Sequence, residues 1–345
     1  MGEQSKSRCA VGGDTYILPM IPLSILDLAP VPEGSDVSTA LANTIRLAQA
    51  ADGLGFRRYW LAEHHNMRGI ASAATAVVIG AVAAATGRIR VGAGGVMLPN
   101  HSPLVIAEQF GTLNALHPGR IDLGLGRAPG SDMATARALR RDNAGDADSF
   151  PRDVIELMSW FEPAVEGQRI VAHPGEGQDV PIWILGSSTY GAQLAAQLGL
   201  PYAFASHFAP AEMMAAARIY RETFRPSARL DRPHLMMACN VVCAPTEAEA
   251  LLLATSQQQA FVNLRSGRPG KLPPPKADYL HTLDAGAQAL LAQVLACSIA
   301  GTPDTVEPWL ERFADATGAD ELILSSQIWD PAARVRSIEL IAGLM

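Results

Sequence analysis

The sequence is poor in several residue types, and each shortage excludes a class of protein. It has three lysines among 345 residues and none on a predicted strand, which excludes a Schiff-base aldolase or a pyridoxal enzyme. Its four cysteines do not form a disulfide framework in so long a chain. Acidic residues number 34 against 27 basic ones, and the net charge of -7 disfavours nucleic acid as the main partner.

Long apolar runs are also missing. No stretch approaches the roughly 18 apolar residues that a spanning helix needs, so we expect no membrane partner. The N-terminus lacks the apolar core of a signal peptide, and we expect residues 1–15 to form a disordered lead-in. Together these features predict a cytoplasmic protein.

Short apolar runs typical of strands recur along the chain and alternate with stretches typical of helices. Several runs are apolar throughout, as expected of parallel strands that are buried on both faces. About eight such units predict an α/β protein with a (β/α)8 TIM barrel, formed by residues 16–345 as a single domain. A doubly wound open sheet is the alternative. The predicted strands are Ile21–Leu28, Arg58–Ala62, Ile89–Leu98, Ile121–Gly126, Pro181–Gly186, Tyr202–Ser206, Leu235–Cys243 and Glu321–Ser325.

Two of these units are too long for a simple strand and helix, and they predict insertions after strands 4 and 7. The second insertion includes Ser266–Asp278, which holds four prolines and two glycines. Loops that follow strands line the active face of a barrel. We therefore expect residues 256–284 to form a mobile, lid-like segment over that face.

Polar side chains collect where the predicted strands end, which is the edge that carries the active site in a barrel. Arg127 lies one residue past a buried strand and is suited to grip a phosphate through two hydrogen bonds. Ser187 and Ser188 precede a helix whose first N–H groups attract an anion. Gly94 and Gly95 interrupt an otherwise strong strand, which indicates the close approach of a flat ligand.

A metal site is a second candidate at the same edge. Glu63, His64 and His65, together with His101 or His207, supply ligand types that metals use. Adjacent histidines on a strand point to opposite sides, however, and no strand carries an HxH pair. We therefore expect no bound metal.

Three motifs resemble those of the flavin-dependent bacterial luciferase-like monooxygenase family, in particular its single-chain members of the alkanal monooxygenase type. They are WLAEHH at Trp60–His65, the long run from Arg90 to Arg127, and AAQLGLP at Ala195–Pro201. The resemblance implies a (β/α)8 barrel, usually dimeric, that binds reduced FMN and activates O2 as a flavin C4a-peroxide. Two positions depart from the family pattern: a reactive cysteine is replaced by Gly126, and a threonine of the phosphate loop by Gly191.

The resemblance also assigns roles to individual residues. His64 matches the active-site histidine, and we expect Glu63 or a backbone carbonyl to fix its tautomer. The glycine pair occupies the place of a non-proline cis peptide beside the flavin ring, and the other residues contact the cofactor's phosphate. The cofactor-binding residues are thus Gly94, Gly95, Arg127, Ser187, Ser188, Tyr190 and Gly191.

These features predict a monooxygenase that uses reduced FMN and O2 to oxygenate a small organic substrate. No NAD(P)H fingerprint is recognisable, which predicts a separate flavin reductase as partner. A deazaflavin-dependent oxidoreductase on the same barrel and a non-catalytic binding barrel remain alternatives. The alanine-rich helices Ala73–Thr86 and Pro103–Leu116 are apolar beyond one face and predict a homodimer.

Overall fold

The apolar runs pair in parallel and close into a barrel in the computed structural model, which describes residues 6–10, 15–19, 21–127, 135, 138–139 and 149–345. Eight strands form the barrel, and they are β3 (Leu23–Asp27), β4 (Arg58–Leu61), β5 (Arg90–Met97), β6 (Ile121–Gly126), β7 (Ile182–Gly186), β8 (Tyr202–Phe204), β9 (Leu235–Cys243) and β11 (Glu321–Ser325). The order around the ring is β3-β4-β5-β6-β7-β8-β9-β11, and β11 pairs again with β3. The predicted TIM barrel is confirmed, and the open-sheet alternative is wrong.

Further strands lie outside the ring. Strand β10 (Ser298–Gly301) pairs in parallel with the last part of β9, from Asn240 to Cys243. Strand β1 (Lys6–Ala10) lies in the expected lead-in and pairs in antiparallel fashion with β2 (Thr15–Pro19), which begins at the last residue of that lead-in. The rest of that lead-in, residues 1–5 and 11–14, lies outside the described residues.

Helices surround the barrel and follow most strands directly. Asp36 caps α1 by accepting a hydrogen bond from the backbone N–H of Thr39 at 2.8 Å, and Gly55 ends that helix with a φ of 91°. No helix in the described part of the chain combines the length and apolar content needed to cross a bilayer. The helices are α1 (Val37–Leu54), α2 (Thr75–Ala85), α3 (Pro103–Leu116), α4 (Phe150–Trp160), α5 (Thr189–Leu198), α6 (Met213–Thr223), α7 (Glu247–Arg265), α8 (Ala285–Val294), α9 (Pro303–Thr317) and α10 (Pro331–Ala342).

The two ends of the barrel differ in chemistry. At the amino end, the buried guanidinium of Arg58 donates to Glu321 at 2.9 Å and to Asp122 at 2.7 Å. Next to these paired charges, the barrel interior is apolar and includes Trp60 and Trp183, whose rings pack edge to face with centres 5.1 Å apart. Space for a ligand is therefore left at the carboxyl end.

Candidate active site

A cavity of about 430 Å3 opens at the carboxyl ends of the barrel strands. Its floor and walls are mostly apolar side chains, with a small set of polar groups among them, as in pockets that bind cofactors or small molecules. Every residue that the sequence nominated for the site lines this one cavity. They are His64, Gly94, Gly95, Arg127, Ser187, Ser188, Tyr190 and Gly191.

One side of the cavity carries groups that attract anions. The guanidinium of Arg127 lies 4.2 Å from the centre of the Tyr190 ring, a cation–π contact that fixes its position. Within the described residues, the arginine ion pairs involve other arginines, so this guanidinium is free for a ligand. Ser188 is the N-cap of α5 but its hydroxyl caps no N–H, which leaves the first turn of the helix open to an anion.

Arg127, Tyr190 and the first turn of α5 form an anion-binding corner, and contacts with the barrel hold it in place. Tyr202 donates from its hydroxyl to the carbonyl oxygen of Ser188 at 3.1 Å. A Cβ on Gly191 would lie 3.2 Å from the Tyr202 ring, so the helix start packs tightly on the barrel. The N–H of Thr189 already donates to the Glu212 carboxylate at 3.0 Å. The N–H groups of Tyr190 and Gly191 are therefore the ones left for a phosphate.

A second side of the cavity is a wall of bare backbone. The peptide bond between Gly94 and Gly95 is cis, as the family resemblance implied. A Cβ on Gly94 would lie 2.7 Å from Leu26, and a Cβ on Gly95 would lie 2.7 Å from the carbonyl oxygen of Gly124. Gly95 requires glycine, because its Cβ would meet fixed backbone, whereas a Cβ on Gly94 would displace the end of the Leu26 side chain. The exposed peptide offers a flat surface on which a ring system can lie.

Two histidines face the cavity from opposite sides of the ring, His64 after β4 and His207 after β8. Burial lowers the pKa of His64, although the Glu63 carboxylate acts in the other direction. Burial, aided by His64, lowers the pKa of His207 to about 4. Each Nδ1 is buried and has no partner among the described residues. Buried polar atoms are normally hydrogen-bonded, so a ligand is the natural partner for these rings.

Neither partner expected for His64, Glu63 or a backbone carbonyl, bonds its Nδ1 among the described residues. The Glu63 carboxylate instead accepts from His65 Nε2 at 2.9 Å and from His101 Nε2 at 2.7 Å. Burial raises the pKa of Glu63, but the hydrogen bonds and charges of His101 and His65 outweigh it and leave the pKa lowered. The cluster weighed from the sequence thus gathers around His65 and His101 and excludes His64 and His207.

Part of the segment that the sequence predicts as a lid, residues 256–284, lines the cavity. Leu272 accepts from the N–H of Glu33 at 2.8 Å and donates to the carbonyl oxygen of Val31 at 2.9 Å. The side chains of Phe261, Leu264 and Leu272 line the cavity from this side. The sequence places these three residues in the predicted lid without singling them out, and it nominates His207 only as a possible metal ligand. Apolar side chains in these positions exclude water from the cavity.

The sequence as a whole was compared with known proteins. A profile described as "Luciferase-like monooxygenase" matches residues 21–321. The chain belongs to the luciferase-like monooxygenase family. It is therefore an enzyme that incorporates oxygen, which confirms the resemblance seen in the motifs.

Named relatives and a solved structure agree with this placement. The chain is 53% identical to a luciferase-like monooxygenase of Escherichia coli (strain K12) over 93% of this chain and 96% of that protein. It is 32% identical to the N-acetyl-S-alkylcysteine monooxygenase of Bacillus subtilis (strain 168), over 94% and 98% of the two chains. The crystal structure of apo-MsnO8 superposes with a TM-score of 0.84 at 36% identity, covering 94% of this chain and 98% of that one.

Proposed function

We propose that this luciferase-like monooxygenase uses reduced FMN and O2 to oxygenate a small organic substrate. The observation that carries the proposal is the pairing of a free, positioned guanidinium at Arg127 with the open first turn of α5, beside a flat glycine wall. A phosphate on one side and a planar ring on the other describe FMN. When bound, reduced FMN supplies the electrons that activate O2.

The residues of the chain then have separate tasks. Arg127, the hydroxyls of Ser187 and Ser188 and the N–H groups of Tyr190 and Gly191 hold the phosphate. The peptide between Gly94 and Gly95 supports the ring. His64 donates or accepts a proton at the reacting centre, since its imidazole has no protein partner on Nδ1 among the described residues.

Exclusion of water is the task of residues 256–284. This segment closes on the cavity through Phe261, Leu264 and Leu272, and it opens to admit the cofactor and the substrate. The opening is a proposed motion, and the contacts of Leu272 with Val31 and Glu33 are those of the closed form.

Cofactor titrations test the proposal directly. The purified protein is titrated with oxidised FMN, with dithionite-reduced FMN and with a reduced deazaflavin, and binding is followed by fluorescence and calorimetry. Tight binding of reduced FMN supports the monooxygenase. Preference for the deazaflavin would move the activity to hydride transfer, and affinity for none of the three would refute the proposal.

A separate reductase is the partner that this chemistry needs. The protein mixed with FMN and NAD(P)H, without any reductase, is expected to leave the nicotinamide unoxidised. Addition of a flavin reductase is then expected to start O2 consumption. Rapid nicotinamide oxidation by the protein alone would contradict the two-component arrangement.

The same reasoning extends to assembly, for which we propose a homodimer through α2 and α3. Val77 on α2 is 73% exposed and Leu116 on α3 is 67% exposed, so large apolar side chains face outwards from both helices. Val77→Asp is expected to yield a monomer in light scattering with the fold retained. A wild-type protein that is monomeric at high concentration would refute the dimer.

A further inference from the structure

Three side chains of the types that bind transition metals meet beside the cavity, outside the proposed flavin contacts. Glu63 follows β4, His65 follows two residues later, and His101 follows the neighbouring strand β5. One ligand atom from each of the three lies within 4.8 Å of the other two. The cluster belongs neither to the anion-binding corner nor to the glycine wall.

Strand geometry explains why these three meet and why His64 stays apart. Successive side chains near the end of a strand point to opposite sides, so His64 lines the cavity while Glu63 and His65 meet each other. Because β4 and β5 are hydrogen-bonded neighbours, the short 3-10 turn Leu98–Asn100 after β5 delivers His101 to the same place. The rings of His65 and His101 are 6.1 Å apart between centres.

The ligand atoms of His65 and His101 both lie against the same oxygen of Glu63. Glu63 Oε1 accepts from His65 Nε2 at 2.9 Å, from His101 Nε2 at 2.7 Å, and from the N–H of Met97 at 3.3 Å. Ligand atoms around a tetrahedral zinc ion lie roughly 3.4 Å apart, given metal–ligand bonds of about 2.1 Å. Side-chain rotation can lengthen the distances from Glu63 Oε1 to the two imidazole nitrogens by roughly half an ångström. The ion then takes the place of the two N–H protons.

Burial and composition favour one class of ion. The Glu63 side chain is 2% exposed, whereas those of His65 and His101 are 13% and 25% exposed, so an ion can enter from solvent past the imidazoles. Two imidazole nitrogens and one carboxylate oxygen suit zinc and its near neighbours and leave one coordination position for water. Magnesium and calcium prefer oxygen ligands throughout.

We propose that Glu63, His65 and His101 bind one divalent transition-metal ion, Zn2+ or Co2+, at the edge of the barrel mouth. Binding moves the Nε2 protons to solvent or to Nδ1, and it takes the carboxylate of Glu63 out of its hydrogen bonds. Because Glu63 also lines the cavity, the ion places its charge next to the space in which we propose that FMN and substrate react.

The test uses the full-length, flavin-free protein after treatment with a chelator. Zn2+ is titrated by calorimetry, and Co2+ by the intense visible absorption of a four-coordinate ion. His65→Gln and His101→Gln each remove one ligand at a partly exposed position, and circular dichroism and the melting temperature confirm that they fold. The matched control is His173→Gln, because exposed His173 pairs with Glu176 at 2.8 Å but has no second histidine in its cluster among the described residues.

We expect one equivalent of metal in the wild type and in His173→Gln, with a rise in melting temperature on addition of Zn2+. Each of the other two variants is expected to weaken binding by at least about 100-fold, which exceeds the effect typical of a group that only orients a ligand. Absence of stoichiometric binding in the wild type would overturn the site, as would binding that survives both substitutions. Neither result bears on the FMN titrations, so the two proposals fail separately.

Discussion

Replacement of Arg127 by methionine probes the anion-binding corner without removing the packing on Tyr190. The guanidinium is free of protein carboxylates in the described residues and lies 4.2 Å from the Tyr190 ring, so its charge is available to a phosphate. Hydrogen bonds to charged groups contribute about 1.5–3 kcal/mol each, and a partly exposed pair falls towards the lower end. We therefore expect a loss of about 1.5–2 kcal/mol in the free energy of FMN binding, or roughly 10- to 30-fold in Kd.

The assay separates the phosphate from the ring. FMN and riboflavin differ only in the phosphate, so each is titrated against wild type and Arg127→Met and the two losses are compared. We expect the substitution to weaken FMN by the amount above and to change riboflavin binding by less than about threefold. Arg336→Met is the matched control, because Arg336 is exposed and pairs with Glu339 at 3.0 Å on α10.

The difference between the two ligands decides the outcome. If Arg127→Met weakens the binding of riboflavin as much as the binding of FMN, the arginine shapes the cavity without contacting the phosphate. If neither ligand is affected, the phosphate lies elsewhere and the assignment of Ser187 and Ser188 falls with it. If Arg336→Met lowers the affinity for FMN by the same factor, the effect comes from the change in the protein's overall charge.

Three further substitutions test other parts of the structure. The lowered pKa of His207, about 4 against 6.5 in the unfolded chain, means that the unfolded state binds more protons between these values. Acidification from pH 8 to pH 5 should therefore lower the unfolding free energy of the wild type by about 2 kcal/mol more than that of His207→Phe. Urea titrations of both proteins at both pH values measure this difference. In the wild type, Arg334 lies 2.8 Å from the buried carboxylate of Asp27, and Arg334→Met removes this ion pair. We expect the free energy of unfolding, measured in urea, to fall by about 3–5 kcal/mol. A decrease below about 1 kcal/mol would contradict this expectation. A Cβ on Gly69 would lie 2.0 Å from the carbonyl oxygen of Gly270, so Gly69→Ala should release FMN several-fold faster in stopped-flow measurements; Gly270→Ala, whose Cβ meets nothing within 4 Å, should not.

The barrel was predictable because burial on both faces leaves a strong mark on the sequence. Strands such as Ile121–Gly126 and Leu235–Cys243 have no solvent-facing side, so they read as continuous apolar runs and their limits are those predicted. Shifts occurred at the ends of other elements. The helix predicted for Ala73–Thr86 spans Thr75–Ala85, because local signals at helix ends compete with tertiary packing.

The anion-binding corner was predictable because its parts are local. Arg127 directly follows a strand, and Ser187 and Ser188 directly precede a helix, so the barrel architecture alone brings them to the same edge. The partners of Glu63 were not predictable in this way. Its choice of His101 over His64 depends on the pairing of β4 with β5 and on the direction in which each side chain leaves its strand. Likewise, the meeting of His64 and His207 across the ring depends on the closure of the barrel.

The division of charge between the two ends of the barrel links the fold to its chemistry. At the amino end, Arg58 is paired with Asp122 and Glu321, and Trp60 donates to Asp122 at 3.1 Å, so the buried charges there satisfy one another. At the carboxyl end, Arg127, His64 and His207 have no such partners among the described residues. Unpaired polar groups destabilise a fold by about 1–3 kcal/mol each, and their concentration at one end marks where a ligand supplies the missing contacts. On this reasoning, FMN should raise the melting temperature of the wild type more than that of Arg127→Met at the same FMN concentration.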